Sequence, residues 1–389
     1  MTPRVALAVF AGVLVAADAA LVAAAQAFRL RRTDRRWVRV GLARRVHRAW
    51  RARALSYWLW WAGWPHLVNV LLRTRRVRVM TTPRDVVWKQ GRATLYRMRG
   101  SRPGRTPVLV VHAVVTRPWI LDLLPDRSIV GALVDRGHDV YLLDWGDPGR
   151  RDARQGLTAH AEVLREVVDE VARRSPTRDC HVVGYCFAGT LALAMAAAWG
   201  TRRVRSLALV APPVDTRVPG GMGALLTRPW LAPALLLDNG GCVPAPVVRE
   251  AFHLLRPTML AAARERLRRR GDRDFQQVAG ALSRWAWEQR RVPGELFFDV
   301  VDLFRANALL DGSLRLGGAR ADLSRVDVPT LVLVTDRDHI VPIASSLALT
   351  RAVPHAEVVR CAQGHVSMLM GSESRTVLVP ALDRWLRRS

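Results

Sequence analysis

Cys186 lies in the segment whose residue types and spacing are best suited to chemistry. It follows the apolar run His181–Gly184 and precedes Thr190–Trp199, which is rich in alanine. A strand, a Gly-x-Cys-x-Ala-Gly turn and a helix would place the thiol on a sharp, strained turn, where small flanking residues make room for the backbone. The N-terminus of the helix would favour the thiolate over the thiol. The pattern therefore predicts a nucleophilic cysteine that transfers acyl groups through a thioester.

Two further side chains could complete a catalytic triad with this cysteine. Asp338 and His365 each follow a short apolar run, and the carboxyl ends of parallel strands are where ligand chemistry collects. The order nucleophile, acid, histidine is the one found in α/β-hydrolases. We expect His365 to be the base and Asp338 the acid. Asp336 is the alternative acid, and His339 is predicted to be structural.

Acyl transfer to a cysteine passes through a tetrahedral intermediate, whose negatively charged oxygen needs two backbone N–H groups directed at it. The residue directly after the nucleophile, Phe187, should supply one. The loop after Val108–Val111 should supply the other, and within that loop we choose Val115.

The elements that must position these residues begin near residue 84. The predicted strands are Arg92–Arg99, Val108–Val115, Val140–Trp145, His181–Gly184, Ser206–Val210, Thr330–Thr335 and Glu357–Cys361. The predicted helices between them are Ser128–Arg136, Ala159–Arg174 and Thr190–Trp199. Apolar strands that alternate with helices indicate a parallel sheet covered on both faces.

Between Pro213 and about Val328 the strand pattern disappears, which predicts a helical cap over the site. Arg264–Arg270 and Trp285–Arg291 are expected to be exposed helical faces in this region. The predicted fold is an α/β-hydrolase with a mostly parallel sheet, a helical cap insertion and an N-terminal apolar helix. The predicted units are an apolar helix with an arginine-rich flank at 1–53, a Trp/Arg-rich helical segment at 54–83, the first part of the core at 84–213, the cap at 214–328 and the second part of the core at 329–389.

The N-terminus carries a long apolar run, Val5–Phe28, interrupted only by Asp18. Its length is about that of a membrane-spanning helix, and the arginine-rich segment 29–53 would keep the following residues in the cytoplasm. A helix docked on the protein is one alternative. A signal peptide is another, because Ala25-Gln26-Ala27 resembles a cleavage site.

Composition narrows the function further. The 389 residues carry a formal charge of +27, but Lys89 is the only lysine, so the charge reflects arginine usage rather than a nucleic-acid site. No nucleic-acid-binding motif accompanies it, and the charge suits an anionic substrate such as a coenzyme A ester. The four cysteines form no CxxC pair, which predicts no zinc, no disulfide scaffold and reduced cytoplasmic thiols.

At these residues the chain resembles the polyhydroxyalkanoate synthases, most closely the short, two-component class III type. The resemblance covers about residues 80–385, and its centre is the Cys186 box, where the family usually has Gly-x-Cys-x-Gly-Gly. The other matching blocks are Asp126-Arg127-Ser128, Tyr141–Gly146, Pro257–Leu260, Leu303–Asn307, Asp338–Pro342 and Gly364-His365. Ala188 in place of glycine, Thr116 where asparagine is expected and the arginine-rich cap depart from the family.

The resemblance implies an acyltransferase that polymerises (R)-3-hydroxyacyl-CoA without a metal or organic cofactor. It implies that Cys186 carries the acyl chain, that His365 activates the thiol and that Asp338 helps to activate the incoming hydroxyl. It also implies a homodimer, a second non-catalytic subunit and attachment to a polymer granule, or to the inner face of the membrane, through residues 5–28. The alternatives are a membrane-associated acyl-CoA thioesterase or small-molecule acyltransferase, and a surface-binding component with a degenerate site.

Overall fold

An eight-stranded sheet is the centre of the fold. The computed structural model describes residues 77–389 except 103, 230, 256–258 and 372, so the predicted unit 1–53 lies outside the described residues. The strands are β1 (Arg84–Gln90), β2 (Ala93–Met98), β3 (Val108–Val111), β4 (Val140–Asp144), β5 (Cys180–Tyr185), β6 (Val204–Val210), β7 (Thr330–Thr335) and β8 (Glu357–Cys361).

The strands lie in the order β1-β2-β4-β3-β5-β6-β7-β8. The β1–β2 and β2–β4 pairs are antiparallel, and all other pairs are parallel. All of β3 and β5 is buried, because helices cover both faces of the parallel part. The mostly parallel sheet of the predicted fold class is therefore confirmed.

Strand β1 was missing from the predicted strands. Among the residues that the structure describes, it forms one edge of the sheet and pairs only with β2, with a bulge between Val86 and Trp88. Val86 is 51% exposed, and four of the seven residues of the strand are exposed. An edge strand with one partner needs no continuous apolar face, so the apolar alternation that marks buried strands is absent.

Helices pack on both faces of the sheet. In chain order, the helices of the described residues are α1 (Ile129–Asp135), α2 (Leu157–Arg173), α3 (Phe187–Trp199), α4 (Gly221–Leu226), α5 (Ala245–Leu255), α6 (Met259–Arg268), α7 (Arg273–Trp287), α8 (Gly294–Ala306), α9 (Ile343–Leu347), α10 (Leu349–Ala352), α11 (Ser367–Met370) and α12 (Val379–Arg388). One apolar cluster joins the sheet to α2 and α3, and a second joins it to α1 and α12.

The predicted helical segment 54–83 is described only from residue 77. Residues 77–83 contain no helix. The Met80 N–H donates to the carbonyl of Asp122 at 2.8 Å, and the N–H and hydroxyl of Thr82 donate to the Asp122 carboxylate at 3.1 and 2.8 Å. These bonds hold the segment in an irregular conformation that leads into β1.

The region between β6 and β7 is mainly helical, with α4 to α8 in it. It also contains two short antiparallel ladders, in which 242–243 pair with 292–293 and 315–316 pair with 319–320. The prediction that Trp285–Arg291 forms an exposed helical face is wrong. Helix α7 ends at Trp287, and both Gln289 and Arg290 are buried.

Candidate active site

Cys186 sits on a strained turn between β5 and α3. Its φ is 56° and its ψ is −129°, a conformation that costs an L-residue free energy and recurs at functional sites. Its N–H donates to the Val210 carbonyl on the neighbouring strand at 2.7 Å. A Cβ on Gly184 would lie 2.7 Å from the Cα of Gly189, so only glycine allows strand and helix to approach this closely.

Helix α3 presents its N-terminus to the thiol. Phe187 is its first residue, and the first amides of a helix have no carbonyl partner within the helix. The Cys186 carbonyl accepts from the Gly189 N–H at 2.9 Å, which starts the helical hydrogen bonding. The partial positive charge at this end favours an anion on the sulfur or on an oxygen beside it.

His365 and Asp338 lie together at the same edge of the sheet. The His365 Nδ1 and an oxygen of Asp338 are 2.6 Å apart, and both side chains are buried, with 3% and 1% of their surfaces exposed. The other Asp338 oxygen accepts the N–H groups of Ile340 and Val341, each at 2.8 Å. Because Asp338 engages Nδ1, the second ring nitrogen is the one available to Cys186, which acts electrostatically on the ring.

The surroundings of His365 favour the imidazolium. Burial opposes a charge on the ring, but Cys186 and Asp338 together raise the pKa of His365 to about 10. The Tyr185 ring packs 5.1 Å from the imidazole, and its hydroxyl donates to the His365 carbonyl at 3.4 Å. The structure therefore brings the three predicted triad residues together, with a positive charge favoured on the His365 ring.

The alternative acid lies elsewhere. Asp336 is exposed, and its backbone N–H donates to the Cys361 carbonyl at 3.1 Å. His339, which directly follows Asp338, is half-buried. Only Asp338 of the two predicted acids makes the contact with His365.

Val115 lies in a turn after β3, next to the strand that ends at the nucleophile. The turn is closed by the Thr116 N–H, which donates to the Ala113 carbonyl at 3.2 Å. Strands β3 and β5 are neighbours, with Val111 opposite Gly184, so the turn and the nucleophile extend from the same edge. That Val115 and Phe187 form an oxyanion hole stays a prediction.

A buried arginine beside this turn was missed by the sequence reasoning. The Arg290 side chain is 2% exposed, and its guanidinium pairs with Asp144 at 2.6 Å and donates to the Gly146 carbonyl at 3.0 Å. The Arg290 backbone N–H donates to the Val115 carbonyl at 3.4 Å. Both contacts of this guanidinium lie in the Asp144-Trp145-Gly146 block, which was part of the family resemblance. The sequence of that block does not indicate that an arginine much later in the chain is its partner.

His112 is a second residue near the site that the sequence did not single out. It is wholly buried at the end of β3, and burial together with the charge of Arg290 lowers its pKa to about 3. Its carbonyl accepts from the Trp145 indole at 3.0 Å. The ring is therefore neutral at physiological pH and adds no charge beside the predicted oxyanion turn.

The cap contacts the loop that carries the acid. The Met222 N–H donates to the Ile340 carbonyl at 2.8 Å, and a Cβ on Gly221 would lie 2.2 Å from that oxygen. Ile340 also donates its own N–H to Asp338. The start of α4 therefore contacts the loop whose backbone holds Asp338, the predicted triad acid.

The described residues contain neither a candidate metal cluster nor a candidate membrane-spanning helix. Within that part of the chain, no cluster of three or more His, Cys, Asp or Glu side chains is arranged to hold a metal ion. None of the described helices combines the length and the apolar character needed to cross a membrane. The apolar run Val5–Phe28 lies outside the described residues.

Comparisons with known proteins agree with the observed fold. Residues 106–371 match the family model described as the alpha/beta hydrolase fold. The chain is similar to the poly(3-hydroxyalkanoate) polymerase subunit PhaC of Haloferax mediterranei, with 32% identity over 326 residues that cover 79% of this chain and 64% of the relative. It is also similar to the protein of the same name from Synechocystis sp., with 30% identity over 331 residues, 80% of this chain and 85% of the relative.

Among solved structures, the chain is similar to a hydrolase from Pseudomonas aeruginosa PA01. The TM-score is 0.51 and the identity 16%, over 78% of this chain and 98% of that one. A likeness at this identity shows the fold alone.

Proposed function

Because the chain belongs to the poly(3-hydroxyalkanoate) polymerase PhaC family, within the alpha/beta hydrolase fold, we propose that it polymerises (R)-3-hydroxyacyl groups from coenzyme A thioesters. The observation that carries the proposal is the connected group Cys186–His365–Asp338, in which a cysteine takes the nucleophile position. A thiol in that position can accept an acyl group from one thioester and keep it as another, with little change in free energy.

In the first step, the Cys186 sulfur attacks the thioester carbonyl of the substrate. The thiol proton resides on His365, whose Nδ1 is held by Asp338 and whose charge that carboxylate stabilises. The tetrahedral oxygen is stabilised by the Phe187 N–H and by its predicted partner on Val115. When the carbonyl re-forms, the bond to the coenzyme A sulfur breaks, and His365 returns the proton to the departing thiolate.

In the second step, the 3-hydroxyl of another hydroxyacyl-CoA attacks the acyl group on Cys186. His365 takes the hydroxyl proton and transfers it to the cysteine sulfur as the new ester bond forms. The product is an acyloxyacyl-CoA, whose thioester Cys186 then attacks to reload the longer chain and release coenzyme A. Each added unit thus releases one coenzyme A, and the reaction needs no oxidant, reductant or nucleotide.

The experiment follows coenzyme A release and solvent-extractable polymer together. The purified chain is incubated with (R)-3-hydroxybutyryl-CoA, with Cys186→Ala as the test variant and Cys242→Ala as the matched control. We expect both products from the wild type and from the control, and neither from Cys186→Ala. Release of coenzyme A with only free 3-hydroxybutyrate would identify a thioesterase, and release by Cys186→Ala would remove the covalent mechanism.

The quaternary arrangement extends the same proposal. The resemblance implies a homodimer that works with a second, non-catalytic subunit, and the two relatives are themselves named as subunits. We expect the second subunit to raise the initial rate of coenzyme A release and to shift the elution of the chain on gel filtration. An unchanged rate and elution would show that the chain acts without it.

Attachment to a surface is the last part of the proposal. Residues 5–28 would hold the catalytic body to the inner face of the membrane or to a polymer granule. A chain that begins at residue 77 should then lose co-sedimentation with granules and with anionic lipid vesicles. Unchanged sedimentation of that shorter chain with both would contradict this part.

A further inference from the structure

A pocket outside the catalytic group lies between the β1–β2 hairpin and helix α2. Its volume is about 130 Å³, comparable with an engineered cavity of about 150 Å³ that holds benzene. Its polar or aromatic lining residues are Gln90, Arg92, Trp145, Gln155 and His160, and none of the described residues that line it carries a carboxylate. We call it the Arg92 pocket.

The Arg92 guanidinium makes its polar contacts here to neutral groups. One terminal nitrogen donates to the Gln155 side-chain oxygen at 3.2 Å, and the other lies 2.8 Å from His160 Nε2. His160 Nδ1 lies 2.7 Å from the Gly156 carbonyl, so Nδ1 carries the proton and Nε2 accepts from Arg92. The Arg92 Nε is buried without a hydrogen-bond partner.

The charge of Arg92 has no close acidic partner. Among the described residues, no carboxylate forms an ion pair with it within 4 Å. The largest electrostatic attraction on Arg92 comes from Asp152, whose carboxylate accepts the Gly149 N–H at 2.7 Å. Partly buried arginines are normally matched by a carboxylate or by a bound anion, because desolvating an unmatched charge is costly.

Two physical effects disfavour the charged form of Arg92 while the pocket holds no anion. Burial lowers the pKa of Arg92, and the positive charge of Arg290 lowers it further. Arg290 is neutralised by its own pair with Asp144, whereas Arg92 has no such pair. An anion in the pocket would offset both effects through its attraction to the guanidinium.

The pocket is also tied to the catalytic side of the sheet. Trp145, which lines it, donates its indole N–H to the His112 carbonyl, three residues before Val115. The Arg92 carbonyl packs so closely on Gly146 that a Cβ there would lie 2.1 Å away. Trp145 therefore connects the pocket directly to the loop where the oxyanion turn is predicted.

We propose that the Arg92 pocket binds a phosphate-type oxyanion, with the guanidinium as the charged contact and the glutamine amides as additional donors. Two sources offer this chemistry: a phosphate group of a coenzyme A thioester, and free inorganic phosphate. The first source rests on the proposed function, and the second does not.

The first experiment measures binding without any turnover. The melting temperature of the protein is followed as potassium phosphate is raised, against potassium chloride at equal ionic strength. We expect a phosphate-specific rise in the wild type and in Arg99→Met, which removes an exposed arginine from the same hairpin. The rise should be absent in Arg92→Met, and a rise that survives there, or is no larger than with chloride, overturns the proposal.

A second variant keeps the test decisive if Arg92→Met fails to fold. Gln155→Glu supplies a carboxylate to the guanidinium that Gln155 already contacts. We expect this variant to melt at a higher temperature than the wild type without phosphate and to lose the phosphate response. A lower melting temperature together with an intact response would overturn the proposal.

The two sources are separated by competition and by substrate truncation. If coenzyme A provides the anion, it should compete with phosphate, and Arg92→Met should raise KM for the coenzyme A thioester about tenfold or more. KM for the matching pantetheine thioester, which has no phosphate, should stay unchanged in that variant. A phosphate response that coenzyme A does not reduce assigns the pocket to free phosphate, and it stands even if the chain releases no coenzyme A.

Discussion

Gly221 connects the cap to the triad acid, and its replacement by alanine should inactivate the enzyme without unfolding it. Its φ is +57°, which costs an L-residue about 1–2 kcal/mol. The new Cβ would lie 2.2 Å from the Ile340 carbonyl oxygen, against about 3.5 Å for an ordinary contact. The peptide that donates to Asp338 must therefore move by about 1 Å.

A displacement of that size at the acid should lower the rate of coenzyme A release roughly 100-fold. The matched control is Gly220→Ala, where φ is +103° but the nearest atom, a Pro342 carbon, would lie 3.6 Å away. That variant carries backbone strain of about 1–3 kcal/mol without a clash. We expect it to melt at a lower temperature than the wild type and to keep its rate.

The assay combines coenzyme A release, the rate of Cys186 alkylation by iodoacetamide and the melting temperature. In Gly221→Ala, release and alkylation should fall together, because both depend on the His365–Asp338 pair beside the thiol. Rates in Gly221→Ala that match those of Gly220→Ala would refute the reasoning. They would show that the cap contact does not position the acid.

Three further predictions concern single side chains. Asp338→Asn should lower coenzyme A release about 10³–10⁴-fold while Asp336→Asn leaves it within a factor of two, and equal losses in the two variants would contradict the assigned acid. Arg290→Met should lower the free energy of unfolding in urea by about 3 kcal/mol, because it leaves the partly buried Asp144 without its charged partner, and the added change Asp144→Leu should recover most of that loss. Burial lowers the pKa of His181 from 6.5 to about 4, so the folded state binds fewer protons than the unfolded state between those values, and stability falls as pH drops. His181→Asn should reduce the slope of unfolding free energy against pH in that window by about 1.4 kcal/mol per unit, and an unchanged slope would assign the acid sensitivity to other groups.

The sequence predicted those elements whose local residue pattern is compatible with only one kind of structure. Strand β3 reads as a short apolar run because both faces are covered, and α3 reads as a small-residue helix because it lies close against the sheet. The contact between Asp338 and His365 follows from the same logic, since each residue lies in the loop after one of two neighbouring parallel strands.

The parts that were missed depend on contacts between distant segments. Strand β1 carries little apolar pattern because the sheet covers only one of its edges. Arg290 lies in a run of charged residues that predicts solvent exposure, yet it is buried against Asp144, which lies at the end of β4. The neutral partners of Arg92 depend on the tautomer of His160, which a sequence does not reveal.

The central claim is that the growing chain is carried on Cys186. The most direct test is to quench the protein in acid during turnover of (R)-3-hydroxybutyryl-CoA, digest it and measure the masses of the peptides by mass spectrometry. We expect hydroxybutyryl units, single and in series, on the peptide that contains Cys186 and on no other cysteine peptide, while coenzyme A and polymer accumulate. An unmodified Cys186 peptide while coenzyme A is still being released would contradict it.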